Sequence, residues 1–171
     1  MKTERLTIRP IEANDWPALK EIWEDFNRSP YVIYDNVKST DPDEVKTRIA
    51  RWAEATQNGK EHIFMVTCYE DKVIGFTSLN AYADGYDIGY GFLDRFQGKG
   101  YAAESLSAIA EYAKSLGARK LYAGTAIKNL LSMALLKRLG FTLVGTEQVS
   151  FHKDEQGKDI CFEGGNFEKV L

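Results

Sequence analysis

The sequence of 171 residues has few cysteines and histidines, and none of them are clustered. Cys68, Cys161, His62 and His152 are far apart, which argues against a structural zinc site, and we expect no metal. Neither histidine lies in a nucleophile motif, so nothing indicates a serine or cysteine hydrolase. Both cysteines occur in apolar, strand-like surroundings and are predicted to be buried, reduced thiols.

Long apolar runs and a strong charge of either sign are also missing. No stretch approaches the roughly 20 apolar residues that cross a bilayer. The net charge of −3 gives no general attraction to nucleic acid or to anionic membranes. The segment from Met1 to Leu6 is charged and lacks the apolar centre of a signal peptide, so the cytoplasm is the expected compartment. With 44% apolar and 27% charged residues, the chain is predicted to form one globular domain over residues 1–171.

Strand and helix patterns alternate along the chain and predict one mixed α/β (α+β) domain. Predicted strands cover residues 5–9, 62–69, 72–79, 87–93, 120–126, 141–144 and 149–162, with a hairpin tip at 153–157. Predicted helices begin at Asn14 or Asp15, at Asp41 with Pro42 in the first turn, at Gly100 and at Asn129. The strand–helix–strand unit over residues 87–126 predicts one parallel strand pair in a largely antiparallel sheet.

A glycine-bearing loop links the strand predicted at residues 87–93 to a long helix. Its sequence is Gln97-Gly98-Lys99-Gly100-Tyr101-Ala102. The first N–H groups of a helix have no partner inside the helix and lie at the positive end of its dipole. Glycine lets the backbone curve around an anion without a Cβ in the way. The loop therefore predicts a diphosphate site, with an ordinary strand–helix turn as the simpler alternative.

The segment from Gly98 to Ala103 also fits the dinucleotide fingerprint G-x-G-x-x-G/A. That fingerprint normally follows the first strand of a βαβ repeat and precedes an acidic residue by about 20 positions. Here it lies past the middle of the chain, and the strand over residues 120–126 ends without Asp or Glu. A dinucleotide-dependent oxidoreductase is therefore the less favoured interpretation.

Three motifs occur along the chain in a fixed order: the opening strand at residues 4–10, the segment 87–104 with Gln97-x-x-Gly100-x-Ala102, and Asn129-Leu130-Leu131-Ser132 followed by residues 136–141. Together they resemble the GNAT acetyltransferases, in particular the RimJ/RimL-type branch that includes ribosomal-protein N-terminal acetyltransferases. The resemblance covers almost the whole chain. It implies a mixed, mostly antiparallel sheet with one parallel pair and about four helices. It also implies an acetyl-CoA-dependent N-acetyltransferase.

Carried over position by position, the resemblance implies a site for acetyl-CoA. The backbone of Phe92 and Leu93 would meet the pantetheine arm and the acetyl carbonyl, and the glycine loop would bind the pyrophosphate. Arg95 and Lys99 can add positive charge, although each is equally well explained as a solvated loop cation. The implied cofactor-binding residues are Phe92, Leu93, Gln97, Gly98, Lys99, Gly100, Tyr101, Ala102 and Asn129.

The same resemblance implies two catalytic residues. Asp87 stands on the strand where several members of the family carry a glutamate base, and Ser132 stands where the RimL-like branch has a serine proposed to act on the thiolate. Leu136 occupies the position of the usual tyrosine proton donor. This departure leaves a non-catalytic acyl-CoA-binding protein on the same fold as the alternative function. A solvated strand carboxylate and a small helix residue are the plain structural interpretations of Asp87 and Ser132.

The acceptor is expected to bind near the first helix and the loop after it. Aromatic side chains there can form apolar walls, and acidic side chains can attract an ammonium group. The aromatic candidates are Trp23, Phe26, Tyr31 and Tyr34, and the acidic candidates are Asp25 and Asp35. A protein N-terminus, another peptide, a polyamine and a small amine all remain open as acceptors. Relatives in this family often dimerise, so a homodimer is also left open.

Overall fold

The computed structural model describes residues 1–171 and consists of seven strands, four helices and three 3-10 turns. The strands are β1 (Leu6–Pro10), β2 (His62–Tyr69), β3 (Lys72–Tyr82), β4 (Gly85–Phe92), β5 (Lys120–Ala126), β6 (Thr142–Lys153) and β7 (Asp159–Val170). The helices are α1 (Trp16–Arg28), α2 (Pro42–Asn58), α3 (Tyr101–Ser115) and α4 (Leu130–Arg138). The 3-10 turns are Ala13–Asp15, Val32–Tyr34 and Asp94–Phe96. None of the helices is both long and apolar enough to cross a membrane.

All strands form one sheet in the order β1-β2-β3-β4-β5-β7-β6. Every neighbouring pair is antiparallel except β4 and β5, which run parallel. These two strands pair only over Gly85–Asp87 and Lys120–Tyr122. Beyond that point β4 follows β3 as far as Phe92, while β5 follows β7 as far as Ala126. The sheet therefore splits between β4 and β5. The predicted mixed sheet, with one parallel pair and four helices, is confirmed.

Helices cover both faces of the sheet. One core cluster joins α3 and α4 to inward residues such as Ile8, Leu79, Ile88 and Leu121. A second cluster joins α1 and α2 to β2 and β3 on the opposite face. Helices α1 and α2 cover only the half of the sheet that holds β1 to β4. On the same face, strands β5, β7 and β6 carry no helix, and an open cleft begins there.

The helix starts show which local predictions succeed. Asp41 caps α2 by accepting hydrogen bonds from the backbone N–H groups of Asp43 and Glu44, both at 3.0 Å. Asn129 caps α4 by accepting one from the N–H of Ser132 at 3.2 Å. At α1, Asp15 occupies the predicted N-cap position but makes no hydrogen bond to the amides of that helix. Its carboxylate instead pairs with Arg9 at 2.7 Å.

The C-terminal hairpin differs from its prediction in length. A single strand, β6, joins the segment predicted at residues 141–144 to the first arm of the segment predicted at 149–162, while the second arm belongs to β7, which continues to Val170. The tip lies where it was predicted, with Asp154 accepting a hydrogen bond from the N–H of Lys158. Cys68 is buried as predicted, but Cys161 is exposed, so that prediction is wrong. The reason is that no helix covers the outer part of this hairpin.

A charged contact ties the N-terminal segment to the first turn of α3. The Glu104 carboxylate accepts hydrogen bonds from Thr3 Oγ1, from the Arg5 N–H at 2.9 Å and from Arg5 Nε at 2.7 Å. Burial alone would raise the pKa of Glu104, but the hydrogen bonds from Thr3 and Arg5 lower it below its ordinary value. The contact therefore holds the segment before β1 against the first turn of α3.

Glu104→Ala is expected to lower the free energy of unfolding by about 1–2 kcal/mol, because charge-assisted bonds are lost at a partly exposed site. Denaturant unfolding measures this loss, with Glu111→Ala, an exposed residue on the same helix, as the matched control. The contribution of Glu104 is present above the unfolded-state pKa of about 4.3 and is lost as pH falls through the lower folded pKa. Equal stability of the two variants at pH 7 would contradict the assignment.

Candidate active site

The split between β4 and β5 opens into a cleft of about 1060 Å³. This is the upper end of the volume of ligand pockets, so it has room for a long ligand and a second molecule. The glycine loop and the start of α3 line one end, and the outer hairpin and the Val32–Tyr34 turn line the other. Asp87, Asn129 and Ser132 lie between the two ends.

The glycine loop presents a row of free amides to this cleft. The N–H groups of the six residues from Gly98 to Ala103 donate to no backbone or side-chain acceptor in the protein. Gly98 and Gly100 have φ angles of +72° and +83°, which other residues rarely adopt. Their conformation turns the loop around the positive end of the α3 dipole. This arrangement fits a bound diphosphate.

Two side chains fix the shape of the loop. Gln97 Nε2 donates to the Phe92 carbonyl at 3.3 Å and to Asp94 Oδ1 at 2.9 Å, which ties the loop to the end of β4. Arg5 Nη1 donates to the Lys99 carbonyl at 3.0 Å, and its guanidinium lies 4.5 Å from the centre of the Tyr101 ring. Arg5 thus adds a positive charge beside the loop. Sequence reasoning missed this role, because Arg5 is far from the motif along the chain.

Along the free edge of β4, the backbone groups of alternate residues are turned toward the gap. The N–H of Leu93 donates to the Ile74 carbonyl of β3 at 2.9 Å. Backbone groups of successive residues in an antiparallel strand point to opposite sides, so those of Phe92 and Tyr90 face the gap. Leu93 itself is fully buried in the core under α1 and α2. Phe92 lies where the sequence placed it, and Leu93 does not reach the cleft.

Asp87 lies at the last paired position of β4, where the gap begins. Its side chain keeps contact with solvent, and the protein around it partly excludes water, which raises the pKa of its carboxyl from the ordinary value. It shares its face of the strand with Gly89 and Gly91, away from α3. The carboxylate of Glu147 on β6 also lines the cleft, and it accepts a hydrogen bond from Asn166 at 3.1 Å. No sequence pattern marks Glu147 as a site residue.

Ser132 is held on the other side of the gap. It lies in the first turn of α4, and its Oγ is 2.8 Å from the hydroxyl oxygen of Tyr90. Burial raises the pKa of Tyr90, and the hydrogen bond with Ser132 lowers it by a smaller amount. Leu136, at the position of the usual tyrosine, is completely buried in the core and does not reach the cleft. Tyr90 is thus the tyrosine hydroxyl nearest Ser132, and the sequence did not mark it as functional.

Aromatic side chains from two distant segments form the far wall of the cleft. The Tyr34 ring lies 5.1 Å from that of Phe162, and the Phe162 ring lies 5.9 Å from that of Phe151, measured between ring centres. His152 Nε2 binds the carbonyl oxygens of Val32 at 3.1 Å and Asp35 at 2.7 Å. These contacts hold the outer hairpin against the segment after α1.

Several predicted site residues are placed differently from expectation. Lys99 and Arg95 do not line the cleft, and Arg95 forms an ion pair with Glu21 at 2.7 Å. Asp25 is also outside it, because it binds Arg28 and the N–H of Asp94. Asp35 does line the cleft but is paired with Lys38 at 2.9 Å. Trp23, Phe26, Tyr31 and Tyr34 all line it.

No group of three or more His, Cys, Asp or Glu side chains is arranged to hold a metal ion. The free amides at the start of α3 and the Asp87 carboxylate at the gap thus give one cleft both an anion-binding end and a candidate proton acceptor.

Comparison with known proteins identifies the family. Residues 5–142 match the family described as "Acetyltransferase (GNAT) domain". An uncharacterized N-acetyltransferase, YnaD from Bacillus subtilis (strain 168), is 30% identical over 149 residues, which cover 84% of this chain and 82% of YnaD. The chain therefore belongs to the GNAT acetyltransferase family.

Solved structures with the same fold include two ribosomal-protein acetyltransferases. The ribosomal-protein-S5-alanine acetyltransferase from Vibrio fischeri superposes with a TM-score of 0.82 at 18% identity, covering 99% of this chain and 95% of that chain. RimL, a ribosomal L7/L12 alpha-N-protein acetyltransferase in complex with coenzyme A, superposes with a TM-score of 0.79 at 21% identity, covering 99% and 96%. At these identities the likeness shows the fold, which is the GNAT fold.

The family assignment confirms the predicted acetyl-CoA-dependent N-acetyltransferase. It favours the catalytic interpretation over the non-catalytic acyl-CoA-binding protein. The single parallel strand pair does not fit the repeated βαβ units of a dinucleotide-binding fold, so the oxidoreductase interpretation is dropped.

Proposed function

We propose that this chain acetylates a primary amine, at a protein N-terminus or on a small molecule, by direct attack of the amine on the thioester of acetyl-CoA in the cytoplasm. One observation carries the proposal: the free amides of the glycine loop, the backbone of Phe92, Asp87 and Ser132 all face one cleft. Donor binding and proton transfer can therefore occur at the same place.

The residues of the glycine loop bind the donor. The amides from Gly98 to Ala103 hold the diphosphate, and the N–H of Phe92, at the open edge of β4, holds the arm that leads to the acetyl group. Asn129 lines the same cleft at the start of α4. Acetyl-CoA supplies an activated acetyl group as a thioester, and binding in this geometry brings that group to the gap between β4 and β5.

Asp87 accepts the proton of the acceptor ammonium, and Ser132 stabilises the sulfur that leaves. An aliphatic ammonium has a pKa near 10, so at pH 7 only about one molecule in a thousand is a reactive amine. Asp87 takes the proton from the ammonium, directly or through one water molecule. The amine nitrogen then forms its bond to the acetyl carbon and releases its second proton to water. As the carbon–sulfur bond breaks, Ser132 Oγ–H donates a hydrogen bond to the sulfur, and a proton from water neutralises the thiolate.

The aromatic wall recognises the acceptor. Tyr31, Tyr34, Phe151 and Phe162 offer apolar surface on the same side of the sheet as Asp87. An amine with an apolar or planar neighbouring group fits this wall. The proteins of known structure named above act on ribosomal-protein N-termini according to their names, which supports peptides as one group to test.

The test is a screen of acceptors with the purified protein and acetyl-CoA. Release of free thiol is measured with peptides that begin with alanine or serine, with polyamines and with small aromatic amines, and mass spectrometry locates the added acetyl group. Thiol release that depends on one class of amine supports the proposal and names the acceptor. Tight binding of CoA in calorimetry without thiol release from any amine would support the non-catalytic protein instead.

Chelators are expected to leave this activity unchanged. The reaction as proposed uses only Asp87, Ser132 and backbone groups, and the two histidines and two cysteines form no ligand cluster. The measurement is thiol release before and after incubation with EDTA. A loss of activity that zinc restores would show that a metal takes part.

A homodimer stays a prediction. Leu143 and Val144 are exposed on β6, whose outer edge pairs with no strand. An open, apolar edge of this kind favours association with a second copy of the chain.

A further inference from the structure

Tyr90 and Ser132 form a hydrogen-bonded pair of hydroxyl groups, and the proposed reaction gives a role only to that of Ser132. Tyr90 projects from the α3 face of β4, and Ser132 projects from the first turn of α4. Their oxygens are 2.8 Å apart, and both residues line the cleft. Neither hydroxyl has another hydrogen-bond partner in the protein, so each depends on the other.

The surroundings decide which hydroxyl donates. Tyr90 is half-buried, and Ser132 Oγ is the one acceptor in the protein within reach of its hydrogen. If Ser132 donated instead, the phenolic hydrogen would have no partner in the protein and would depend on water of the cleft. A phenol is also more acidic than an aliphatic alcohol and is therefore the better donor. Tyr90 therefore donates, and the hydrogen of Ser132 is directed elsewhere.

A second contact holds Ser132 from its backbone. Asn129 Oδ1 accepts a hydrogen bond from the Ser132 N–H at 3.2 Å and fixes the first turn of α4. This turn lies at the positive end of the helix dipole, which favours a negative charge nearby. With one tetrahedral position of its oxygen taken by Tyr90, the hydrogen of Ser132 is confined to the other two, and Ser132 lines the cleft.

We propose that Tyr90 is a positioning residue for acetyl transfer, whose hydroxyl donates to Ser132 Oγ and so directs the Ser132 hydrogen toward the sulfur that leaves. The inference rests on the proposed function. Tyr90 itself exchanges no proton with the reactants. As the carbon–sulfur bond breaks, the sulfur gains negative charge and accepts the hydrogen bond from Ser132, and the proton that neutralises the thiolate comes from water. Without Tyr90, the Ser132 hydroxyl turns freely and spends less time in this orientation.

The experiment compares Tyr90→Phe, Ser132→Ala and the double variant with the unmodified protein. Tyr86→Phe is the matched control, because it removes the same oxygen from the same face of β4 at a residue outside the cleft. We expect Tyr90→Phe to lower kcat about fivefold, the effect of losing one ordinary hydrogen bond, with the KM for acetyl-CoA unchanged. The double variant should be no slower than Ser132→Ala. Tyr86→Phe should keep the full kcat.

Two kinetic outcomes would overturn the inference. One is an unchanged kcat in Tyr90→Phe. The other is an equal further loss when Tyr90→Phe is added to Ser132→Ala, since Tyr90 would then act without Ser132, for example through packing.

A measurement without turnover separates this inference from the proposed function. In protein labelled at the tyrosine Cζ, the Tyr90 NMR signal is identified by its absence in Tyr90→Phe. Ser132→Ala should shift that signal, because it removes the hydrogen-bond acceptor, and an unmoved signal would refute the contact. If the contact is present but the unmodified protein releases no thiol with any amine, then the proposed function is the part that fails.

Discussion

Asp87→Asn is expected to lower kcat by about 10²-fold, the lower end of what a general base contributes, with little change in the KM for acetyl-CoA. The amide cannot take the proton of the ammonium, whereas the donor is held by the glycine loop and by the backbone of Phe92, five residues further along β4. Steady-state kinetics with a saturating acceptor measure the effect. Ser132→Ala should cost less, because water can protonate a thiolate of pKa about 8.5.

The pH profile gives a second test of Asp87. A base must be deprotonated to act, so activity should fall as pH drops through its pKa. Partial removal from water raises that pKa, so the acidic limb should lie above the ordinary value for aspartate of about 3.9. Asp87→Asn should abolish this limb. Glu147→Gln is the comparison, since Glu147 lines the same cleft. If it removes the limb while Asp87→Asn leaves kcat and the profile unchanged, Glu147 is the base.

Gly100→Val is expected to weaken CoA binding at least tenfold, or about 1.4 kcal/mol. Gly100 has a φ of +83°, and a Cβ at this position would lie 3.3 Å from Arg5 Nη2. A branched residue would strain the loop and place carbon atoms beside the row of free amides that holds the diphosphate. Isothermal calorimetry with CoA measures the loss, and circular dichroism shows whether the variant is folded.

The matched control for Gly100→Val is Gly117→Val. Gly117 has a φ of +96° at the other end of α3, with open space around its Cβ position and no contact with the cleft. The control carries the same kind of backbone strain, so it separates strain from loss of the binding loop. CoA affinity that is equal in the two folded variants would show that the loop does not bind the diphosphate.

The sequence was sufficient for the parts of the fold that depend on local chemistry. Asp41 and Pro42 marked the start of α2, and Asn129 marked the start of α4, because a cap uses residues only two or three positions apart. The strand–helix–strand unit indicated the parallel pair. The glycine loop was visible because the conformation around a diphosphate demands glycine at fixed spacing.

Contacts between distant segments could not be predicted from the sequence. No pattern around Tyr90 indicates that Ser132, 42 residues away, lies within hydrogen-bond distance. Arg5 reaches the loop only because β1 packs beside α3, and Glu147 reaches the cleft only because β6 is the outer strand. Leu93 was assigned to the cleft by position, but the alternation of backbone groups along β4 turns its amide toward β3. The pairing of strands in the sheet determines which of these side chains and amides reach the cleft.

The bond from His152 to the carbonyls of Val32 and Asp35 has a consequence for how such an enzyme can change over evolutionary time. The aromatic wall is built from the outer hairpin and the segment after α1, and none of its rings belongs to either large core cluster. The donor loop rests on α3 and β4, which are held by those clusters. Substitutions at Tyr31, Tyr34, Phe151 or Phe162 would therefore alter the proposed acceptor surface while the fold and the proposed donor site keep their support. A lineage with this architecture can exchange one acceptor for another in small steps and remain an acetyltransferase throughout.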